Sequence, residues 1–361
     1  MNSRFFRAVF LLIGTIIGAG IFALPFAFML SGSLFSILGL VALGLVTLII
    51  NLFYAQIIVK TSGDHQLAGY VERYLGRKYK WLAVFSLFLI CWGASLAYVI
   101  LGGDFLGLAF GQASQPLFSL LFWCWGAFLI WGGIKTISLV ESWLSLLLVG
   151  ACLLLPVLGS PFFRKENLIL PAQSSFAFCG PALFALSGLS VIPEAEEILR
   201  KKRSLLPLAI FWGVLIPVVV YLVFVLGILG VSGGATSVDA LSGLLYYSPA
   251  LVKIGALAGV LATFTSFLSL GNVLRELFFQ DLKWSVKSAR FWAVFSSLPA
   301  VCLPLFYFLP IISLTGSLAI GLASFLVLFI FLKRFAQSLP EKLLAWAAGL
   351  VLLGGIVSSL V

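Results

Sequence analysis

Long apolar runs, separated by short polar or charged stretches, make up nearly the whole of the 361-residue chain. A hydrocarbon core about 30 Å thick takes about 20 apolar residues of α-helix to cross. On that measure the pattern predicts eleven membrane-spanning helices, over 6–30, 33–59, 81–110, 117–134, 138–159, 174–199, 205–230, 251–279, 290–308, 310–332 and 342–360. The least distinct division lies between the ninth and tenth, where only Leu309 and Pro310 separate two runs. Between the second and third segments, the stretch from Gln66 to Leu75 has the spacing of a short amphipathic helix lying at the membrane interface. The loop 231–250 predicts another short helix near 238–247. Arg4 and Arg7 precede an apolar run that continues to Leu30. A signal peptide's apolar core runs only about 7–15 residues, so this run reads as a retained first span.

Composition agrees with the pattern. The chain is 62% hydrophobic and 9% charged, against about 25% charged in soluble domains. A net charge of +10 would raise nucleic acid as a partner for a soluble protein. Here the basic residues sit in short loops between apolar runs, which points to membrane orientation and away from nucleic acid. With the N-terminus in the cytoplasm, 19 of the 22 Lys and Arg fall inside, leaving Arg164, Lys165 and Lys253 outside. The excess alternates loop by loop, and the C-terminus then lies outside. The same parity gives 1–159 and 174–332 opposite orientations. The chain thus reads as one transmembrane domain, 1–361, built as a five-plus-five inverted repeat, with 342–360 as an added eleventh helix.

Cys91, Cys124, Cys152, Cys179 and Cys302 all lie in or beside apolar segments without a CxxC pair, and read as packed free thiols. A lone His65 rules out a histidine-based metal site or catalytic triad, and nothing else in the chain suggests an enzyme.

Two of the spans are interrupted. The first carries Gly14-Thr15-Ile16-Ile17-Gly18-Ala19-Gly20, and the sixth carries Ala185-Leu186-Ser187-Gly188-Leu189-Ser190 followed by Pro193. Lipid offers no partner for freed backbone groups, so a mid-depth break belongs where the main chain faces something polar. Matched breaks in the two halves of a chain are the best sequence pointer to a transporter's binding site. The half-helices that restart near Gly20 and Ser190 present free N–H groups and suit an anion. Those that end near Ile17 and Leu186 present free carbonyls and suit an ammonium group or a metal cation. A zwitterion such as an α-amino acid matches both. Thr15, Ser187 and Ser190 add hydroxyls. Close packing of small residues is the competing account, and Gly14-xxx-Gly18 satisfies it.

Other polar positions are candidates. In the eighth span Ala262, Thr265 and Ser266 share one helical face and offer a carbonyl and two hydroxyls to a small cation. Hydroxyls bonding back to their own helix would explain them equally. Glu194, Glu196 and Glu197 follow the second break; Glu194 lies deepest and is a proton-carrier candidate, while the other two read as an ion-paired helix end. Asp104, Glu141, Arg275 and Glu276 read as interface or gate charges, and Tyr98 in the third span can offer its hydroxyl to a carboxylate.

Gly14-Thr15-Ile16-Ile17-Gly18-Ala19-Gly20-Ile21-Phe22-Ala23-Leu24-Pro25 resembles the first-helix signature of amino acid permeases of the aromatic and hydroxy amino acid branch, the tyrosine and tryptophan permeases, within the amino acid-polyamine-cation superfamily. Thr265-Ser266-Phe267-Leu268 and Gln66-Leu67-Ala68-Gly69-Tyr70 resemble the same branch. The resemblance implies a LeuT-type fold, with backbone around Gly18, Ala19 and Gly20 holding a substrate carboxylate and carbonyls near Phe184, Leu186 and Ser187 holding its amino group. In sodium-coupled relatives, positions matching Gly14, Ile17 and Ala262 join hydroxyls matching Thr265 and Ser266 around one sodium. The aromatic branch is described as proton-coupled, and some proton-coupled relatives place a fifth-helix lysine in that spot. No lysine stands between Lys135 and Lys165 here, so the coupling ion stays open between proton and sodium.

The expectation is an ion-coupled, cofactor-free transporter in an inner (plasma) membrane, its partners being lipid and a neutral amino acid, aromatic ones included. The alternative is a membrane sensor that binds an amino acid without moving it. Substrate identity, direction and oligomeric state are not legible.

Overall fold

The computed structural model describes residues 3–63, 65–111, 116–132, 137–174, 176–302 and 308–360, and their regular structure is entirely helical. Helices α1 (Ser3–Ile16) and α2 (Gly20–Ser31) meet at an angle of 51°. Next come α3 (Ser33–Val59), the short α4 (Leu67–Leu75), α5 (Arg77–Ala109), α6 (Pro116–Gly132) and α7 (Ile137–Gly159). The second half opens with α8 (Cys179–Ala185), a 3₁₀ turn (Leu189–Val191) and α9 (Ile192–Leu199). It continues with α10 (Leu206–Ser232), α11 (Pro249–Glu276), α12 (Val286–Phe295), α13 (Pro299–Cys302), α14 (Phe308–Leu314), α15 (Gly321–Arg334) and α16 (Leu339–Leu360).

Six of the described helices are long and apolar enough to cross a membrane, and the bent pair α1–α2 makes a seventh. The outer faces of these helices and of the shorter apolar α6 carry large apolar side chains in the open, among them Leu34, Trp125, Phe128, Trp346 and Leu350 at 63–75% exposure. Water does not tolerate so much contiguous apolar surface, and hydrocarbon does. The molecule is a multi-pass membrane protein.

Local departures from the sequence pattern have local causes. The expected helix 290–308 stops at Ser296–Leu298 and restarts at Pro299, and its last residues lie outside the described ones. Proline steers the residue before it out of helical geometry and itself fits a first helical turn. The expected run 310–332 contains a π-helical stretch, Thr315–Ile320. Near 238–247 only a 3₁₀ turn forms, at Ser242–Leu244, because Ala240 takes a positive φ of 63°. The expected amphipathic helix after Gln66 is α4, which buries Leu67, Ala68, Tyr70 and Val71.

The core sits where α5 and α11 pack along each other, with α1, α2, α8 and α10 gathered on another side. Phe22 of α2 is fully buried there, edge-on to Phe105 of α5 (4.6 Å between centroids) and to Phe224 of α10 (5.6 Å).

Candidate functional site

The first interruption is three residues long. Ile17 N–H still bonds to Ile13 O (2.8 Å), but Gly18 N–H turns back to Ile16 O (2.9 Å). The chain restarts through three-residue turns, Ile21 N–H to Gly18 O (3.4 Å) and Phe22 N–H to Ala19 O (3.1 Å). The second interruption behaves alike. Leu186 N–H reaches Ala182 O (2.9 Å), Ser187 N–H tightens to Phe184 O (3.1 Å), and Val191 N–H bonds Gly188 O (3.3 Å) as the 3₁₀ turn leads into α9. Pro193 falls in the first turn of α9, where its missing N–H removes no bond.

The two interruptions touch each other reciprocally. A Cβ on Gly20 would lie 2.7 Å from Ala185 Cα, at the end of α8. A Cβ on Gly188 would lie 2.8 Å from Ile16 Cδ1, at the end of α1. Each glycine is thus the surface on which the other half-helix ends. A Cβ on Gly18 would meet Ser266 Oγ at 2.8 Å and the Tyr98 hydroxyl at 2.9 Å, so α5 and α11 close in on the same point.

A small cavity opens beside this contact. Of the substrate candidates, Thr15, Gly20, Tyr98, Phe184, Ser187 and Ser190 line it, joined by Ile16, Ile90, Ala94, Leu270 and Ile320. Gly18, Ala19 and Leu186 are buried behind it. Its volume is about 20 Å³, close to what one water needs. Tyr98 and Phe184 stand edge to face, 6.4 Å between ring centroids. Thr15 Oγ1 donates to Leu11 O (2.9 Å), which leaves its lone pairs free to accept.

Among the cation candidates, Gly14, Ile17, Ala262, Thr265 and Ser266 are all buried. Thr265 Oγ1 donates back to its own helix, to Leu261 O (3.0 Å) and Ala262 O (3.1 Å). Ser266 Oγ is different: it is buried next to Gly18 and Tyr98 without a well-formed hydrogen bond. Glu194 is half-buried in the first turn of α9 and does not line the cavity. Glu196 is buried at 4% exposure and ion-paired to Arg203 and, at 3.8 Å, to Arg200. Glu276 lies 3.5 Å from Arg275. The side chain of Glu141 falls outside the described residues.

A family model described as the tryptophan/tyrosine permease family matches residues 1–337. The chain belongs to that family. In the fold, the permease is similar to the crystal structure of MhsT in complex with L-phenylalanine, with a TM-score of 0.69, 16% identity and 99% of each chain covered. It is also similar to Mhp1, a nucleobase-cation-symport-1 family transporter in a closed conformation with bromovinylhydantoin bound. There the TM-score is 0.63 and the identity 14%, over 99% of this chain and 90% of that one. No curated protein matches the sequence. The LeuT-type fold is therefore shared, and the permease is a transporter rather than an enzyme.

Two residues at the interruptions escaped the sequence reading. Tyr221 of α10 is fully buried, and its hydroxyl lies 2.6 Å from Ile16 O and 2.8 Å from Ala185 O. Asn51 of α3 is 1% exposed, neither amide atom has a hydrogen-bond partner, and its Nδ2 sits 3.8 Å from where a Gly188 Cβ would be. Asn51 was signalled as a lone strongly polar group at mid-run of a long apolar segment, where such a group is expensive to bury, whereas nothing in the pattern singles out Tyr221.

Beyond the Glu276 end of α11 a second, larger cavity of about 630 Å³ is lined by His65, Glu72, Arg73, Arg77, Lys80 and Asp281, among others. Glu72 and Lys80 pair there at 2.6 Å. Burial pushes the Asp281 carboxyl up to about 6, with Lys80 opposing the shift and Glu72 adding to it.

Proposed function

We propose that this permease is a secondary active transporter that carries a neutral, aromatic-leaning amino acid by alternating access, driven by a sodium or proton gradient. In this reading it spans an inner membrane eleven times, N-terminus in the cytoplasm and C-terminus outside. Spans 1–5 and 6–10 form the inverted repeat, and the first and sixth are broken. The single observation that carries the reading is the reciprocal contact of the two interruptions beside a small cavity. Restarting half-helices bring free N–H groups to that spot for a carboxylate. Ending half-helices bring carbonyls for an ammonium group. No described carboxylate or basic side chain lines the cavity, which fits a substrate whose own side chain is uncharged. Tyr98 and Phe184 supply aromatic surface against that side chain.

The hydroxyl of Ser266, with carbonyls of Gly14, Ile17 and Ala262 and the Thr265 oxygen, is the proposed seat of a coupling sodium. Glu194 is the corresponding candidate if protons drive transport. The test is uptake of radiolabelled amino acids into proteoliposomes under separately imposed sodium and proton gradients. Accumulation of tryptophan, tyrosine or phenylalanine that collapses with one gradient is expected. Binding without flux would make the protein a sensor, and absence of both for every neutral amino acid would remove the reading.

A further inference from the structure

The last carbonyls of α1 and α8 belong to Ile16 and Ala185, and helix ends leave such groups without partners in their own helix. Here both converge on one atom. The Tyr221 hydroxyl stands 2.6 Å from Ile16 O and 2.8 Å from Ala185 O, and the side chain is fully shielded from solvent. A phenol has one proton to donate, so the two acceptors share it. Ile16 also lines the cavity, and Ala185 is the residue against which Gly20 rests. Tyr221 itself does not line the cavity: it reaches the two helix ends from the α10 side.

We propose that Tyr221 is the positioning residue of the site, its hydroxyl bridging the carbonyl ends of both interruptions and so fixing where the Ala185 carbonyl stands relative to a substrate's ammonium group. The inference rests on the zwitterion reading above. It adds that the recognition of the amino group, and not of the carboxylate, depends on α10. Ala185 O keeps a second lone pair after accepting from Tyr221, so the bond orients that acceptor without consuming it, whereas Ile16 O holds both the Tyr221 hydroxyl and the Gly18 N–H (2.9 Å). Removing the hydroxyl frees the buried Ala185 carbonyl to turn away or to seek another donor and leaves Ile16 O only its Gly18 N–H, so the fixed spacing between the two ends is lost.

The experiment uses the purified full-length protein in lipid nanodiscs. Binding of L-tryptophan is compared with binding of 3-(indol-3-yl)propanoate, which has the same ring and carboxylate but no amino group. The wild type is expected to prefer tryptophan by at least about tenfold, the worth of one charge-assisted hydrogen bond. In Tyr221→Phe that preference should fall about tenfold, with binding of the propanoate changed less than about twofold. General damage to the fold would weaken both compounds in step, and that result, or a preference left intact, overturns the proposal. A wild type with no preference for the amino group overturns the zwitterion reading itself, and the inference with it. If Y221F fails to accumulate in the membrane, Tyr221→Met, which also lacks the hydroxyl, supplies the same decision: the preference must fall there too, and a preference left intact overturns the assignment.

Discussion

Gly20→Ala is the sharpest perturbation of the contact between the two interruptions. The added Cβ would stand 2.7 Å from Ala185 Cα and 2.9 Å from Ala185 Cβ. Carbon atoms in contact prefer about 3.5–4.0 Å, so the half-helices must separate by about 1 Å. The obstacle is backbone on both sides, and no rotamer change relieves it. Overpacking of this kind costs about 1–3 kcal/mol. Because the displaced groups are those proposed to hold the substrate, apparent affinity should fall roughly tenfold to a hundredfold. Gly18→Ala is the built-in comparison. Its Cβ would be just as crowded, at 2.8 Å and 2.9 Å, but by the ends of two side chains, Ser266 Oγ and the Tyr98 hydroxyl, and not by backbone, so the half-helices need not part. Binding of labelled substrate to both purified variants, together with their melting temperatures, gives the ordering. The reasoning is refuted if G18A loses as much affinity as G20A, or if G20A binds like the wild type.

Three further outcomes are expected. Raised to about 6, the Asp281 carboxyl holds its proton more tightly in the folded than in the unfolded chain, whose value is 3.8. Its stabilising contribution is thus complete below pH about 4 and is lost as pH rises through about 6; Asp281→Asn should flatten that part of the melting-temperature profile. Glu196→Gln removes the partner of Arg203 and Arg200 from a buried position and should destabilise by about 1–3 kcal/mol, read from denaturant or thermal unfolding. Ser266→Ala removes a hydroxyl whose contact with the Tyr98 hydroxyl is not a well-formed hydrogen bond, so stability should change little. Half-maximal uptake should nevertheless need roughly tenfold more sodium, the worth of about 1.4 kcal/mol at one ligand; uptake indifferent to sodium in both proteins would take the ion site away from this position.

Hydrophobic pattern and punctuation carried most of the architecture. The apolar run 33–59 coincides with α3, and the amphipathic stretch after Gln66 became α4, because burial of one face decides a helix regardless of its neighbours. Gly18, Gly20, Gly188 and Pro193 marked both interruptions, since helix-breaking chemistry is written locally. Where tertiary contacts decide, the pattern was silent. Nothing around Thr315–Ile320 signals a π-helical stretch; the Cβ of Gly316 would lie 2.1 Å from Gly180 O, so α8 presses on it from more than a hundred residues away. Tyr221 was equally hidden. Its role depends on Ile16 and Ala185 meeting in space, and a sequence read one segment at a time cannot align three helices on one oxygen.

The cavity's size turns these contacts into a statement about motion. About 20 Å³ holds roughly one water, whereas sites for small molecules usually measure about 300–1,000 Å³. An indole or phenyl side chain therefore enters only if the walls move apart. The walls fall into two sets. Thr15, Ile16, Gly20, Phe184, Ser187 and Ser190 come from the two interruptions, which abut through backbone and share the Tyr221 hydroxyl. Ile90, Ala94 and Tyr98 come from α5 and Leu270 from α11, two helices packed along their length; Ile320 completes the lining from the π-helical stretch, which packs on both α5 and α8. Separating α1 from α8 would break polar bonds that no lipid or apolar neighbour replaces. Parting the interruptions from α5 and α11 breaks mainly side-chain contacts, such as Tyr98 on Phe184 and Ser266 against Gly18. The second seam is the weaker one. Opening along it leaves the paired carbonyl ends intact and exposes them to whichever side of the membrane the seam faces, which is the movement alternating access requires.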